Sequence, residues 1–299
     1  MNAEKVIVTV FGGSGFLGSH VVDQLGLAGY EVRVFDRQHS QWAHENQQMI
    51  IGDILDKEAV KKAVDGASFV YNFAAVADLN IAINSPETTM QVNILGNLNI
   101  LEACRKYHVK RFIYASTVYV NSREGSFYRI SKQTSEQLVE EYQQRFDLNY
   151  TVLRYGSIYG PRSDEHNGLF RIVKNAIKTG IVKYEGHPES LREYVHVEDV
   201  ARASIAILDE EFCNESIVLT GQEAMRVYDV LEMLAEIMDI KKPVEFNEKP
   251  YQGHYTRTPY AFKNKIGRKY IPSLHVDLGQ GLLQLIGDVY EKVKKNEIC

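Results

Sequence analysis

Tyr128 and Lys132 stand four residues apart in a segment, residues 127–146, whose apolar residues recur at helical intervals. Residues i and i+4 share one face of a helix, so the phenol and the ammonium are predicted to point into the same space. A nearby cation stabilises phenolate and is expected to lower the pKa of Tyr128. Such a pair can act as an acid/base that moves a hydroxyl proton. Because this spacing is common by chance, a surface helix pair is the alternative interpretation.

Two hydroxyl side chains, Ser116 and Thr117, follow directly after a predicted strand at residues 111–115. Ligands in open α/β sheets bind at the carboxyl ends of the strands. A hydroxyl at this point is therefore well placed to hydrogen-bond a substrate oxygen beside Tyr128.

Gly12, Gly15 and Gly18 form a GxxGxxG sequence between a predicted strand, residues 5–11, and a predicted helix, residues 16–27. Without side chains, the backbone can turn tightly and lie against a pyrophosphate. The helix would direct its free N–H groups at the anion. An ordinary strand–helix turn is the alternative, but the strand before it and the helix after it favour dinucleotide binding. With such a cofactor, Lys132 is also placed to hold the nicotinamide ribose.

Asp36 follows a second predicted strand, residues 31–35, and lies 18 residues after Gly18. A carboxylate at this position can take the ribose hydroxyls of adenosine. It would repel a 2′-phosphate, so NAD is favoured over NADP, although Arg37 next to it weakens that preference.

Two further segments are placed to contact the cofactor. Asp53 and Ile54 follow a third short strand, where the carboxylate can meet the adenine amino group. The alternative for Asp53 is an N-cap of the helix at residues 57–64. Ala74 and Ala75 end the fourth strand with small side chains, which leave room for the cofactor.

Alternating strands and helices must position these residues. Short β-branched or aromatic runs, typical of buried parallel strands, occur at residues 5–11, 31–35, 68–73, 111–115 and 151–154. Helical patterns occur at residues 16–27, 57–64, 85–107, 127–146, 169–178, 199–208 and 228–238. The alternation predicts an α/β fold with a Rossmann-type doubly wound parallel sheet. We expect a dinucleotide-binding domain with the catalytic residues over 1–155. A smaller α/β substrate-binding lobe, interleaved with the first, is expected over 156–299.

The composition of the 299 residues, 44% hydrophobic and 24% charged with a net charge of −5, is that of a soluble globular protein. It argues against binding to nucleic acid or a membrane surface, which needs a basic face. No run approaches the roughly 18 apolar residues of a membrane span. Three widely spaced cysteines argue against a disulfide framework and a cysteine zinc site, so no metal is expected. No signal peptide is visible, so a cytoplasmic location is expected.

Taken together, these motifs resemble the extended short-chain dehydrogenase/reductases. The resembling positions are Gly12, Gly15, Gly18, Asp36, Ala74, Ala75, Asn93, Ser116, Thr117, Tyr128 and Lys132. More narrowly, the chain resembles the NAD-dependent epimerase/dehydratase family, which includes UDP-glucose 4-epimerase. Residues 153–162 are similar to that family's LRYxNVYGP segment, and residues 192–200 to its RDFxHVDDV segment. The likeness covers residues 5–210 and is weak from residue 220 onward.

The resemblance implies a role for each matching position. Thr117 matches the catalytic Ser/Thr, Tyr128 the acid/base and Lys132 its partner. With the positions derived above, the residues expected to contact NAD are Gly12, Gly15, Phe16, Leu17, Gly18, Asp36, Arg37, Asp53, Ile54, Ala74, Ala75, Asn93, Ser116, Tyr128 and Lys132.

The resemblance also implies a substrate set, in which Thr117 meets the sugar. Asn167 and Arg192 match positions that commonly touch the diphosphate of the sugar nucleotide, and Arg257 is a weaker candidate for the same task. A surface ion pair with Glu193 or Glu198 is the alternative for Arg192. His196 is expected to be a structural histidine in a strand.

The chain departs from the family pattern in two places. Dehydratases of the family place Asp-Glu directly after the catalytic Thr, and decarboxylases place a Glu nearby, for additional proton chemistry. Val118 and Tyr119 cannot substitute for these, so dehydration and decarboxylation are disfavoured. In addition, only ten residues separate Thr117 from Tyr128, and residues 120–122 stand where the family has VYG. The sugar pocket is therefore expected to be more open or to be filled from elsewhere in the chain.

The leading interpretation is an NAD-dependent 4-epimerase of a nucleotide sugar, acting by reversible hydride transfer through a transient 4-keto sugar. One alternative is a one-way dehydrogenase or ketoreductase of a nucleotide sugar or related alcohol, which would release NADH. Another is a non-catalytic dinucleotide sensor, for which Thr117, Tyr128 and Lys132 would be unnecessary. By the same family likeness, a homodimer formed through the helices at residues 85–107 and 127–146 is expected.

Overall fold

The computed structural model describes residues 6–45, 47–247, 254, 268–270 and 272–295. Its strands are β1 (Ile7–Phe11), β2 (Glu31–Asp36), β3 (Gln48–Ile51), β4 (Phe69–Asn72), β5 (Arg111–Thr117), β6 (Tyr150–Tyr155), β7 (Ser157–Tyr159), β8 (Lys183–Glu185), β9 (Leu191–Arg192), β10 (Tyr194–His196), β11 (Glu215–Leu219), β12 (Met225–Arg226), β13 (Glu245–Asn247) and β14 (Arg268–Lys269).

The α-helices are α1 (Phe16–Leu27), α2 (Lys57–Val64), α3 (Leu79–Asn84), α4 (Pro86–Met90), α5 (Asn97–Lys106), α6 (Ser126–Phe146), α7 (Gly168–Thr179), α8 (Val197–Ala206), α9 (Val227–Ile237) and α10 (Leu278–Lys294). A π-helix covers Gln91–Gly96, and short 3-10 helices cover Val118–Asn121 and Glu210–Phe212. Within the described residues, no helix is long and apolar enough to cross a membrane.

The central sheet confirms the predicted Rossmann-type fold. Seven strands of four or more residues, with the two-residue β14 at one edge, pair in parallel in the order β14-β11-β6-β5-β4-β1-β2-β3. The strand order reverses at β1, which lies between β2 and β4. Such a switch point opens a crevice at the carboxyl ends of the strands, where ligands bind in open α/β sheets. The glycine turn after β1 and the small residues after β4 both lie at this crevice.

Apolar layers hold both faces of the sheet. On one face, Val8 and Val10 of β1 belong to one apolar cluster with Val21 and Val22 of α1 and Val200 of α8. On the other face, Phe11 and Phe35 belong to a second cluster with residues of α2, α5 and α6. Burying one such side chain stabilises the fold by about 1.5–3 kcal/mol. A third cluster joins α7, α9 and α10 in the second half of the chain.

The predicted continuous helix over residues 85–107 is wrong in one respect, because the π-helix at Gln91–Gly96 separates α4 from α5. A π-turn inserts one additional residue into the helix and shifts the side chains that follow. Asn93 on this turn faces the interior and is 2% exposed. Gly96 lies so close to Ile54 that a Cβ would come within 2.4 Å of its Cδ1. The π-turn therefore places the buried amide of Asn93 and the backbone of Gly96 against neighbouring residues.

Candidate active site

The glycine turn after β1 is a cradle that leaves no room for side chains. Gly12 has φ +74°, and a Cβ there would lie 2.6 Å from the backbone nitrogen of Ala74. A Cβ on Gly18 would lie 2.2 Å from the carbonyl oxygen of Gly12. Helix α1 begins after Gly15 without a side-chain cap. Phe16, Leu17 and Gly18 therefore form the first turn of a helix whose amino terminus suits an anion.

Asp36 fastens this turn to the end of β2. One of its carboxylate oxygens accepts the backbone N–H of Ser14 at 3.0 Å, and the other accepts that of Gln38 at 3.3 Å. The side chain is partly exposed, whereas the neighbouring Arg37 is exposed. The carboxylate thus stands at the rim of the glycine turn, where the hydroxyls of a ribose would need an acceptor.

Asp53 does not cap α2, so that alternative is wrong. The cap is Asp56, whose carboxylate accepts the N–H groups of Glu58 at 2.9 Å and Ala59 at 3.1 Å. Asp53 lies further upstream and accepts the N–H of Leu55 at 2.9 Å. The adenine contact proposed for Asp53 stays a prediction.

Asn93 ties the loop after β4 to helix α6. Its amide oxygen accepts the N–H of Val76 at 2.7 Å, and its amide nitrogen donates to the carbonyl of Val76 at 3.0 Å and to Ser131 Oγ at 2.9 Å. Both amide hydrogens are therefore used within the protein. Asn93 positions the segment of Ala74 and Ala75 against the glycine turn, and its direct contact with a cofactor stays a prediction.

Ser116 belongs to a buried network beneath the carboxyl end of β5. Its hydroxyl donates to Glu136 Oε1 at 2.6 Å. Glu136 also receives two hydrogen bonds from Arg154, at 3.0 Å to Oε1 and 2.8 Å to Oε2. All three side chains are almost completely buried. A bidentate Arg–carboxylate pair is the geometry that best offsets the loss of water around two buried charges. Ser116 thus helps to hold the end of β5 in place.

Thr117 and Tyr128 meet at the end of β5, and both line a cavity of about 610 Å³. Thr117 Oγ1 also accepts the N–H of Tyr119 at 3.3 Å, which starts the short 3-10 helix. Burial raises the pKa of Tyr128 to about 12, and a hydrogen bond with Thr117 lowers it only in part. The expectation that Lys132 brings this pKa below its usual value is wrong for the protein by itself.

Burial of the phenol itself is the largest cause of the raised pKa, and it is not offset by Lys132. Its Nζ donates to the carbonyl of Ala115 at 2.6 Å and lies 5.8 Å from the ring centroid of Tyr128. The side chain is 3% exposed. Burial lowers the pKa of Lys132 to about 7, and the nearby Glu136 opposes this shift. The ammonium is therefore only partly populated at neutral pH, and the cation needed to stabilise a phenolate is itself destabilised by burial.

Two of the residues predicted for the diphosphate line the same cavity. Asn167 caps α7: its Oδ1 accepts the N–H of Phe170 at 3.2 Å, and its Nδ2 donates to the carbonyl of Ile158 at 2.8 Å. The amino terminus of α7 consequently faces the cavity. Arg192 lines the cavity and is 7% exposed, so the alternative of a surface ion pair is wrong. Arg257 lies outside the described residues.

Several polar lining residues were not identified as binding residues from the sequence, among them Asp78, Tyr119, Arg171 and His254. Asp78 caps α3 through one oxygen, and its other oxygen lies 3.5 Å from Arg171 Nη1. The position of Asp78, just after the small residues that end β4, was a usable signal. His254 carries no local motif, and only the tertiary structure brings it to the cavity. His196, by contrast, is a buried residue at the end of β10, as predicted.

The cradle at the glycine turn fits a dinucleotide. A Cβ at Gly12 or Gly18 would fill the cradle, the uncapped α1 suits a pyrophosphate, and Asp36 stands beside it for a ribose. The phenol of Tyr128 and the ammonium of Lys132 lie at the carboxyl end of β5, two strands away from β1 in the sheet. This spacing suits an extended cofactor that runs from one strand end to the other.

Comparison with known proteins agrees with this geometry. A UDP-glucose 4-epimerase of Thermotoga maritima, solved with UDP-glucose, is 28% identical with a TM-score of 0.84, over 96% of this chain and 100% of that chain. A UDP-glucose 4-epimerase of Thermus thermophilus, solved with NAD, is 27% identical with a TM-score of 0.80, over 95% and 99% of the two chains.

Relatives with a different activity are also found. The UDP-N-acetyl-alpha-D-glucosaminuronate decarboxylase of Bacillus cytotoxicus is 25% identical over 287 residues, which cover 87% of each chain. The sequence model of one family, described as the NAD dependent epimerase/dehydratase family, matches residues 8–219. The chain therefore belongs to the NAD-dependent epimerase/dehydratase family of the extended short-chain dehydrogenase/reductases.

Proposed function

We propose that this protein is an NAD-dependent 4-epimerase of a nucleotide sugar. One observation carries the proposal: Tyr128 and Thr117 line the same cavity as Arg192 and the amino terminus of α7. A hexose at the phenol and a diphosphate at the arginine would therefore belong to one ligand. The cavity volume of about 610 Å³ lies within the range of small-molecule sites, about 300–1,000 Å³.

The proposed cofactor set begins at the glycine turn. The N–H groups at the start of α1 would bind the pyrophosphate, and Asp36 would bind the adenosine ribose. The carboxylate would repel a 2′-phosphate, which supports NAD over NADP. Bound NAD would supply a hydride acceptor that takes the hydride from the sugar carbon and returns it. Lys132, already hydrogen-bonded to Ala115 at the end of β5, would hold the nicotinamide ribose.

The protein's own residues would manage the proton. Tyr128 would take the proton of the C4 hydroxyl and later return it, and Thr117 would hold the same oxygen through a hydrogen bond. A pKa of about 12 favours the protonated phenol in the protein by itself. Tyr128 would therefore need added positive charge to become a base. Lys132 in its ammonium form, together with an oxidised nicotinamide ring, would provide that charge.

Substrate binding would use the other wall of the cavity. Arg192 is almost buried, so its charge acts on a ligand with little screening by water. The amino terminus of α7 adds N–H groups that suit a phosphate oxygen. Fixing the diphosphate in this way would let the 4-keto sugar rotate and present its other face without leaving the site.

Dehydration and decarboxylation are disfavoured in this proposal, although a decarboxylase is among the relatives. Val118 and Tyr119 follow Thr117, so no carboxylate stands where those reactions need one. Among the described residues, the carboxylates that line the cavity are Asp78 and Glu185. Asp78 caps α3 and contacts Arg171, and Glu185 lies on β8.

The proposal is tested by incubating the purified protein with UDP-glucose or UDP-galactose without added cofactor. Chromatography then measures the interconversion of the two nucleotide sugars. Tyr128→Phe is expected to lower turnover by about 10²–10⁴-fold and to leave NAD affinity unchanged. Tyr290→Phe, which removes a hydroxyl from an exposed ring on α10, is the matched control. Undiminished turnover in Tyr128→Phe would remove the catalytic assignment. NADH accumulating in solution would indicate a one-way dehydrogenase, and NAD binding with no turnover of nucleotide sugars would indicate a sensor.

We also propose a homodimer formed through residues 85–107 and α6. Leu95, Phe127 and Ile130 lie on these segments and are 51%, 36% and 41% exposed. Large apolar side chains on neighbouring helices are suited to a subunit interface. Light scattering at micromolar concentration is expected to give twice the mass of the chain, and a monomer would contradict the proposal. The division into residues 1–155 and 156–299 and the cytoplasmic location stay predictions.

A further inference from the structure

The cavity wall beside the phenol of Tyr128 is formed by another tyrosine. The 3-10 helix at Val118–Asn121 turns the chain directly after Thr117 and brings Tyr119 against Tyr128. The two ring centroids lie 6.3 Å apart and the planes are nearly perpendicular, at 78°. Gly125, with φ +95°, makes room, because a Cβ there would lie 2.7 Å from Tyr119 Cδ1. The short loop between Thr117 and Tyr128 thus places an aromatic ring where a longer loop would stand.

His254 completes this wall from a distant part of the chain. Its Nδ1 lies 2.8 Å from Tyr119 Oη, a hydrogen bond between residues 135 positions apart. The two rings also pack edge to face, with centroids 6.2 Å apart. Both residues line the cavity. Of the two possibilities predicted for the sugar pocket, the structure therefore has the second, a pocket filled from elsewhere in the chain.

The surroundings of His254 keep its ring uncharged. Burial is the largest cause, and the charges of Arg192 and Arg171 add to it, so the pKa of His254 is lowered to about 4. Asp78 opposes the shift to a smaller degree. A neutral imidazole has one nitrogen that donates and one that accepts. A phenol that donates to Nδ1 leaves the ring proton on Nε2.

We propose that His254 is a specificity-determining residue that donates Nε2–H to an oxygen of the hexose, and that Tyr119 is a positioning residue that fixes the tautomer and orientation of His254. The inference rests on the proposed function and names two residues that contribute to sugar recognition. The group recognised is a hydrogen-bond acceptor, a hydroxyl or keto oxygen.

The contacts of Tyr119 indicate why the hexose and not the diphosphate is the partner. Its ring touches Tyr128, whose hydroxyl would act on the reacting carbon, and its hydroxyl holds His254. The imidazole therefore contacts the tyrosine side of the cavity and lies within electrostatic range of the two arginines. Those arginines already offer charge to a phosphate, whereas an uncharged donor on the tyrosine side suits a neutral sugar oxygen.

Binding of two probes, UDP and UDP-glucose, to NAD-loaded protein separates the sugar from the diphosphate. Tyr119→Phe keeps the ring and removes the hydrogen bond to His254. We expect it to weaken UDP-glucose binding and raise KM by about tenfold, with UDP binding unchanged. His254→Ala is expected to do the same or more, and the double variant to equal His254→Ala, because Tyr119 acts through His254. Tyr290→Phe is the control, and unchanged NAD affinity verifies folding.

Each other outcome decides against the inference. If the variants weaken the binding of UDP and of UDP-glucose equally, His254 belongs to the diphosphate site. If neither binding constant changes in Tyr119→Phe, the hydrogen bond does not position a recognition group. If the wild type binds UDP-glucose without turning it over, the proposed epimerase activity fails but the binding comparison still decides the role of His254. If the wild type binds neither probe, both the proposed function and this inference fail.

Discussion

The proposed cofactor end, at the glycine turn, and the proposed sugar end, at the cavity beside Tyr128, are built in different ways. The cofactor end is formed mainly by the backbone of residues 12–18. The carboxylate of Asp36 is held beside it by a hydrogen bond from the N–H of Ser14. At the sugar end, side chains converge on one cavity from positions 78, 117, 128, 167, 192 and 254. A backbone site is determined by a few consecutive residues, whereas a side-chain site depends on the whole tertiary arrangement.

The two ends also differ in charge. The cofactor end offers helix N–H groups and one partly exposed carboxylate. The sugar end places the guanidinium groups of Arg171 and Arg192 around an uncharged His254, with Asp78 against Arg171. Substitutions that change either NAD affinity or UDP binding alone would confirm this division. Substitutions at one end that change both would contradict it.

The largest effect is expected beneath the end of β5, at the buried pair of Glu136 and Arg154. Glu136→Gln keeps the shape but leaves the guanidinium of Arg154 without an opposite charge, so the free energy of unfolding should fall by about 3–5 kcal/mol. Denaturant unfolding measures this, with Glu141→Gln in an exposed pair with Arg145 as the control, expected below about 1 kcal/mol. Equal losses in the two variants would show that the buried ion pair contributes no more to stability than the exposed one.

Gly18→Ala should damage the cofactor end alone. The added Cβ would lie 2.2 Å from the carbonyl oxygen of Gly12, so the turn must open. We expect NAD affinity to fall by at least about 100-fold, about 2.7 kcal/mol, with UDP binding nearly unchanged. Gly287→Ala on α10 is the control, because a Cβ there meets nothing within 4 Å. Unchanged NAD affinity in Gly18→Ala would place the cofactor elsewhere.

Arg192→Met is the opposite experiment, at the sugar end. Loss of a nearly buried guanidinium should weaken UDP binding by about 10–100-fold, the value of a hydrogen bond to a charged group, and leave NAD affinity intact. Arg226→Met removes a guanidinium that is 48% exposed and paired with Asp229, so no effect is expected there. A parallel loss of NAD affinity in Arg192→Met would contradict the division into two ends.

The smallest effect concerns Lys132, which lies where the nicotinamide would meet the sugar. Its pKa is lowered from 10.5 to about 7 in the folded protein. Below pH 7 the folded state bears the cost of the buried ammonium. As the pH rises from 7 to 8, the folded state binds fewer protons than the unfolded chain, so the free energy of unfolding should increase by about 1 kcal/mol. Lys132→Met should flatten this dependence in denaturant unfolding of NAD-free protein, and equal slopes would refute it.

The cofactor end could be predicted from the sequence almost completely. The strand before Gly12 and the helix after Gly15 were both expected, and the structure places α1 at the predicted Phe16–Leu27. This succeeds because a glycine turn, its strand and its helix are adjacent in the chain, so local sequence determines their geometry. The parallel sheet follows from the same alternation of strands and helices.

The sugar end could be predicted only in part. Thr117, Tyr128 and Arg192 are found through motifs, but the burial of Arg192 and the raised pKa of Tyr128 depend on surroundings that no motif encodes. The π-turn at Gln91–Gly96 also carries no sequence signal, and the contacts that its Asn93 makes with Val76 and Ser131 are tertiary. His254 was missed because it is 135 residues from Tyr119 in sequence.

The hydrogen bond between Tyr119 and His254 has a consequence for divergence within the family. The family's shared sequence pattern ends at residue 219, so one partner lies within it and the other beyond it. Under the proposed function, exchanges beyond residue 219 would reshape the sugar pocket around an unaltered Tyr128 and glycine turn. A lineage of such enzymes can therefore acquire new sugars through its last quarter while inheriting the same chemistry.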